Sequence, residues 1–204
     1  MKNRIVKNTG ILVAITLVFG LLLGISYEIT KEPIARAQLS AKQTAYQVVM
    51  PTADTFHEYD AFDVEEVEEI LQTANLTNIT INEVVIAKQA DMELGYVITT
   101  TNSNGYGGNI TVSVGVTKEG RVTAIQFLTI TETAGLGMNA TRPAFYEQFE
   151  DQQVEAFFLT KGGATNDGEV DCISGATITS NAVVENVNAA LVYFENILKG
   201  ATYE

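Results

Sequence analysis

Near the C-terminus the chain reads "DCISGATITSNAVV", Asp171 to Val184, and four hydroxyl residues crowd this stretch: Ser174, Thr177, Thr179 and Ser180. The apolar-periodic run that follows predicts a helix. The first-turn amides of a helix lack partners and its dipole is positive there, so the end attracts a phosphate. The same end can be closed by one capping hydroxyl. Two readings therefore stay open on residue types alone. In one, Thr179 or Ser180 caps the helix and Thr177 is a loop residue just upstream of it. In the other, Thr177 stands beside a phosphate. A second candidate is "SNGYGGN", residues 103–109. A dinucleotide fingerprint follows a strand and opens a helix, whereas these glycines lead into a strand, so a Rossmann site is excluded. Gly105, Gly107 and Gly108 form either an interstrand turn or a backbone cradle for a polar ligand group.

The single cysteine, Cys172, excludes an internal disulfide and a cysteine-ligated iron–sulfur cluster. With one histidine, His57, in the polar loop "TFHEYD", there is no zinc or haem constellation. No metal site or catalytic residue is assigned. Redox chemistry here would need an organic cofactor. Cys172 itself reads as a small apolar spacer, because no basic neighbour in sequence would lower its pKa.

Elements must hold these residues in place. From Ile79 the hydrophobic period is two, and "ITINEVVIAK", "ELGYVITTT", "NITVSVGVT" and "RVTAIQFLTI" predict four strands. In the third, Ile110, Val112, Val114 and Val116 face one way and Thr111, Ser113 and Thr117 the other. "KEG" at 118–120 is a short hairpin turn. Ahead of the strands, "DVEEVEEILQTAN" predicts a helix with Asp63 as N-cap and Glu66 three residues on. After them come a loop "TETAGLGMNA", a short helix in "RPAFYEQFE" and an extended apolar segment "VEAFFL". The last helix carries Val183, Val187, Leu191, Phe194 and Leu198 on one stripe and closes at Lys199 and Gly200. Strands in a run, then helices, predict an α+β fold with a mostly antiparallel sheet and flanking helices.

Charge is divided along the chain. Residues 1–36 hold five basic and two acidic residues, and the remainder holds 7 basic against 23 acidic, a charge of −16. So acidic a body repels nucleic acid and anionic lipid, which excludes phosphate-backbone binding. Asn8 through Tyr27 contains no charge over 20 residues, about the ~20 that cross a bilayer core. "ARA" at 35–37 resembles a cleavage site but lies well past the apolar run, so the segment reads as an uncleaved anchor. Lys2, Arg4 and Lys7 place the N-terminus in the cytoplasm. The expected product is a single-pass cell-membrane protein with an extracytoplasmic body. "PIARAQLSAKQTAYQVVM" predicts a helix leaving the membrane from Pro33, with Ile34, Ala37, Ala41, Ala45 and Val48 on a stripe and Pro51 as its stop. The expected organisation is residues 1–30 as tail and anchor, 31–60 as connecting helix and loop, and 61–204 as one domain.

"DCISGATITS" resembles the flavinylation motif D-x-x-S/T-G-A-T of the FMN-binding domain family. "GYGGNITVSVGVTKEGRVTAIQFLTITETAGLG" resembles that family's second block, a glycine turn, a hairpin and an E-T-P-G-L-G loop. With the N-terminal anchor, the resemblance covers nearly the whole chain. It is nearest to the G subunits of Rnf-type ion-translocating oxidoreductases, which are related to the C subunits of sodium-pumping NADH:quinone reductases. The resemblance implies FMN, moved from FAD by a flavin transferase onto Thr177 as a phosphoester. It implies that Ser174, Gly175 and Ala176 shape the turn and that the transferase requires Asp171. It places Glu132, Thr133, Gly135, Leu136 and Gly137 in a loop near the flavin. Ala134 stands where the family usually has proline, which implies a less rigid loop. "GGAT" at 162–165 is a decoy, because Leu159 stands where the motif wants aspartate and Thr165 lacks the leading hydroxyl. The implied role is an electron-carrying subunit of a membrane redox complex, partnered by other membrane subunits and matured by the transferase. Two other readings remain: a free-standing extracytoplasmic flavoprotein, and a membrane-tethered adaptor without redox function.

Overall fold

The computed structural model of the protein describes residues 2–200, with side chains from residue 4. It divides into two compact units, one ending at Lys42 and the other starting at Gln43. Helix α1, Lys2–Val49, carries the first unit. Its mean hydropathy reaches 2.3, and it is long and apolar enough to cross a membrane. Leu12, Leu17, Phe19 and Leu23 are all exposed along it, an apolar surface that calls for lipid or other apolar helices as its solvent. The expectation of a new helix beginning at Pro33 is corrected: Pro33 lies inside α1. The proline removes one helical N–H, at an exposed position, and the helix runs on through it.

In the second unit, strands β1 (Thr55–Glu58), β2 (Ile79–Gln89), β3 (Met92–Asn102), β4 (Ile110–Thr117) and β5 (Val122–Thr129) form one antiparallel sheet in that order. The four period-two segments match β2 to β5. The edge strand β1 replaces the loop expected around His57, which is exposed on it. Four largely polar residues at a sheet edge carry no alternation to read. Helix α2, Val64–Thr73, starts at Asp63, whose carboxylate accepts the Glu65 N–H at 2.9 Å. Then follow α3 (Pro143–Tyr146), flanked by 3-10 turns, β6 (Phe158–Thr160), β7 (Glu169–Asp171) and α4 (Thr177–Tyr193). β6 and β7 pair in parallel as a separate two-stranded sheet.

Ile110, Val112, Val114 and Val116 of β4 face a core completed by α4, through Val183, Val187 and Leu191, and by α2, through Val67 and Leu71. On the other face, Val85, Ala87, Val97 and Ala124 pack against Tyr46, Val49, Met50 and Ala53. That cover explains why Ser113, on the polar side of β4, is fully buried, where it shares a 3.0 Å hydrogen bond with Thr99. The register of α4 is set by polar contacts. Asn186 Nδ2 donates to Ile110 O (3.1 Å), Thr100 Oγ1 to Asn186 O (3.3 Å), and Asn102 Nδ2 to Ala182 O (3.1 Å). These bonds fix where the first turn of α4 emerges.

Candidate functional site

β7 ends at Asp171, and the chain turns through residues 172–176 before α4 begins. The turn is closed by Ala176 N–H to Ile173 O at 2.9 Å and needs positive φ at Gly175, +77°. Thr177 is the first residue of α4, not a loop residue upstream of it, and among the described residues no side chain caps the helix, whose N-cap is Ala176. The expectation of a cap from Thr179 or Ser180 is therefore corrected. Both lie inside the first turn and point elsewhere. Ser180 Oγ accepts the Ile173 N–H at 3.0 Å and donates to Ala176 O at 3.0 Å, so it ties the turn from beneath. The open helix end remains available to an anion. Ser180→Ala leaves the Ile173 N–H without its partner, and an expected loss of about 1–3 kcal/mol in denaturant unfolding follows.

Cys172 is more than a spacer: its Sγ donates to Thr177 Oγ1 at 3.4 Å. Asp171 lies behind the turn, where its carboxylate accepts the Gly163 N–H at 3.0 Å and its own N–H donates to Gln148 Oε1 at 2.6 Å. The decoy segment is occupied otherwise. The Thr165 N–H (2.8 Å), Asn166 N–H (3.2 Å) and Asn166 Nδ2 (2.7 Å) all converge on the Glu169 carboxylate. Those bonds, the Thr165 N–H foremost, hold the Glu169 carboxyl down at about 2. A depressed carboxyl gives order that is present above its ordinary pKa and lost as pH falls through the depressed one. The 161–168 loop is therefore expected to stay ordered at pH 3 and loosen near pH 2, as read by the Glu169 side-chain NMR titration. A midpoint near the usual 4.5 would contradict it.

In front of the turn opens a cavity of about 550 Å3, lined by Tyr106, Glu132, Thr133, Leu136, Gly137 and residues 175–179. Of the residues implied by the flavinylation motif and its loop, Thr177, Gly175, Ala176, Glu132, Thr133, Leu136 and Gly137 meet there. Ser174 and Gly135 are exposed beside it without lining it, and Asp171 lines a different, smaller hollow with Arg142 and Gln148. The 133–139 loop is bound to itself despite Ala134, through Leu136 N–H and Met138 N–H to Thr133 O and Asn139 Nδ2 to Gly135 O.

Tyr106, Ile178 and Thr179 also line the cavity, although neither motif points to them as ligands. Tyr106 is carried by the glycine turn. There the Gly107 N–H donates to Glu132 Oε1 (3.2 Å), and Thr131 Oγ1 to Gly107 O (3.2 Å). A Cβ on Gly107 would lie 2.1 Å from Thr131 O, so only glycine permits the approach. The turn is thus a backbone cradle, but for the chain's own Glu132. The "GYGG" spacing is the sequence signal for Tyr106. For Thr179 the signal is its place in the hydroxyl-rich motif.

The cavity volume lies within the roughly 300–1,000 Å3 of small-ligand sites. Exposed Tyr106, Leu136 and Ile178 offer apolar surface for an aromatic ring, and the uncapped end of α4 offers amides to a phosphate. These features fit FMN.

Comparison with known proteins agrees. The FMN-binding domain model matches residues 105–192, and the RnfG N-terminal region model matches residues 1–49. The chain is 30% identical to the G subunit of the proton-translocating ferredoxin:NAD(+) oxidoreductase complex of Clostridium ljungdahlii, over 93% of this chain and 91% of that one. It is 31% identical to the G subunit of the ion-translocating oxidoreductase complex of Methanosarcina acetivorans, over 94% and 95%. The crystal structure of the C subunit of the Na(+)-translocating NADH-quinone reductase from Parabacteroides distasonis shares the fold, with a TM-score of 0.51 at 20% identity over 74% of this chain and 80% of that one.

Proposed function

The chain belongs to the G subunits of ion-translocating oxidoreductase complexes, and from that premise we propose how its site serves the complex. It is an electron-carrying subunit of an Rnf-type complex, and its electron carrier is FMN. The FMN is attached covalently, as a phosphoester on Thr177 Oγ1. The observation that carries the attachment is the position of Thr177: first residue of an uncapped helix, exposed, on the wall of the cavity.

Bound FMN supplies reversible electron acceptance and donation; the chain's own groups hold and shield it. Thr177 Oγ1 forms the bond to phosphorus while a phosphoanhydride bond of FAD breaks, AMP leaves and the hydroxyl proton passes to the transferase. Thr177 is exposed to that enzyme, and the Cys172 thiol hydrogen-bonds its oxygen from behind. The first-turn amides of α4 face the phosphate. Tyr106, Leu136 and Ile178 exclude water from the ring.

The basic residues ahead of the apolar run support an N-terminus in the cytoplasm and a flavin domain outside. Protease added to intact spheroplasts is expected to degrade the domain and spare the tail; a protected domain would reverse this topology. Affinity purification of the tagged full chain from detergent-solubilised membranes is expected to bring multi-spanning subunits with it. Recovery of a labelled chain alone would make it a free-standing flavoprotein instead.

A further inference from the structure

Thr179 does not cap α4, and its position points to another use. The residue is only 1% exposed, and among the described residues its hydroxyl has no hydrogen bond, yet it lines the cavity. Glu132 stands beside it. One carboxylate oxygen, Oε1, accepts the Gly107 N–H; the other, Oε2, accepts nothing among the described residues. A Cβ placed on Gly137 would lie 2.7 Å from Thr179 Oγ1 and 2.6 Å from Glu132 Oε2. The two oxygens therefore flank the Gly137 backbone on one stretch of cavity wall. The Thr179 hydroxyl is not sealed from water: it opens on the cavity as a donor and acceptor that a ligand can engage.

The pair offers one hydroxyl donor and one carboxylate acceptor. Two parts of a flavin could answer it: the hydroxyls of the sugar-alcohol chain, each both donor and acceptor, and the pyrimidine edge with its carbonyls and N–H. Position decides between them. Thr179 lies two residues beyond Thr177, about 3 Å further along the helix axis and on the opposite side of it, which puts their Cα atoms roughly 5.5 Å apart. In FMN the polyol follows directly on the phosphate, whereas the pyrimidine edge lies beyond the full width of the ring. We propose that Thr179 and Glu132 form a polyol clamp, a subsite that holds the ribityl chain once the phosphate is fixed at Thr177. This rests on the flavin reading of Thr177. It gives the cofactor a second point of attachment, so that the ring is held rather than swinging on its ester.

The test uses unlabelled full-length protein in detergent, made without a transferase, and two probes: riboflavin, which has the polyol but no phosphate, and lumiflavin, which has only the ring. Wild type is expected to bind riboflavin more tightly than lumiflavin, as read by quenching of flavin fluorescence. Thr179→Val and Glu132→Gln are each expected to lose about tenfold in riboflavin affinity and nothing toward lumiflavin, and Thr179→Ser to recover most of the loss. Thr179→Val should not lower the thermal midpoint of the unlabelled protein, because it removes an unpaired hydroxyl; a purely structural threonine would lower it. Equal binding of the two probes by wild type, absence of binding included, overturns the clamp. Equal losses toward both probes overturn it in favour of the pyrimidine edge. Labelling of wild type by an active transferase is scored separately: no label on Thr177 sinks the parent reading, whereas a label with unchanged riboflavin binding in Thr179→Val sinks the clamp alone.

Discussion

Thr177→Val made together with an active flavin transferase is expected to carry no covalent flavin. The substitution keeps size and branching, and it removes the one oxygen on which the ester can form. The fold should hardly notice. Thr177 is exposed, its hydroxyl caps nothing, and its partner is a long thiol contact from Cys172. The stability cost is therefore expected at or below about 1 kcal/mol. Thr177→Ser keeps an oxygen and should label in part, limited by a less restrained hydroxyl. Thr165→Val should label normally, since Thr165 Oγ1 is engaged with Glu169 in another loop. Asp171→Ala should label less without unfolding, as its carboxylate holds the Gly163 amide behind the turn. The readout is flavin fluorescence comigrating with the boiled polypeptide, with a mass increase of one FMN. Label on Thr177→Val would move the ester elsewhere. Unlabelled wild type would return Thr177 to an ordinary first residue of a helix.

A covalent bond also suits the electrostatics of the cavity. Among the described residues its only charged lining residue is Glu132, an anion, and the chain beyond residue 36 carries −16. Arg142 lines a separate hollow with Asp171, not this cavity. The helix end attracts a phosphate by roughly 0.3–1 kcal/mol at an exposed site, too little to retain FMN against an acidic body. The ester supplies the retention that ionic contacts do not. What remains for the cavity is to position the ring, which apolar Tyr106, Leu136 and Ile178 can do without charge.

Much of this frame could be read from the chain. β2 to β5 follow a period of two, and Asp63 is the cap of α2. All five predicted core positions of the last helix, Val183 through Leu198, are buried. The misses have physical causes. β1 is too short and polar to show alternation. Pro33 suggests a helix start, yet its cost is local, and the helix is carried past it by residues that include the ion pairs Lys31–Glu28, before it, and Arg36–Glu32, across it. The start of α4 is masked because Ser180 and Thr179 look like caps, and only the tertiary structure shows Ser180 reaching back to Ile173. The glycine turn and the hydroxyl-rich motif mark Tyr106 and Thr179, but that they meet in one cavity depends on contacts between distant segments, such as Gly107 to Glu132 across 25 residues, which no local pattern encodes. The amide contacts of Asn102 and Asn186 that set α4 on the sheet are invisible for the same reason.

The largest expected loss of stability falls behind the site. Phe149 is fully buried, with its ring centroid 5.8 Å from Phe145 and 5.0 Å from Phe157. This cluster underlies the motif. Gln148, its neighbour, accepts the Asp171 N–H. Phe157 exchanges hydrogen bonds with Asn188 of α4, 2.8 Å from its N–H and 3.0 Å to its carbonyl. Phe149→Ala removes the middle ring and leaves a cavity that three elements border, so a loss of about 3–5 kcal/mol is expected. For a domain of this size that is a fall of roughly 10 °C in the thermal midpoint by circular dichroism. Phe158→Ala is the control: its ring is 66% exposed, and a change within about 0.5 kcal/mol is expected. Equal destabilisation by the two substitutions would show that the aromatic cluster is not what holds the motif strand against α4. If the cluster does hold it, Phe149→Ala should also label more slowly at temperatures where the domain is still folded, because Asp171 and Thr177 lose their fixed relation before the core melts.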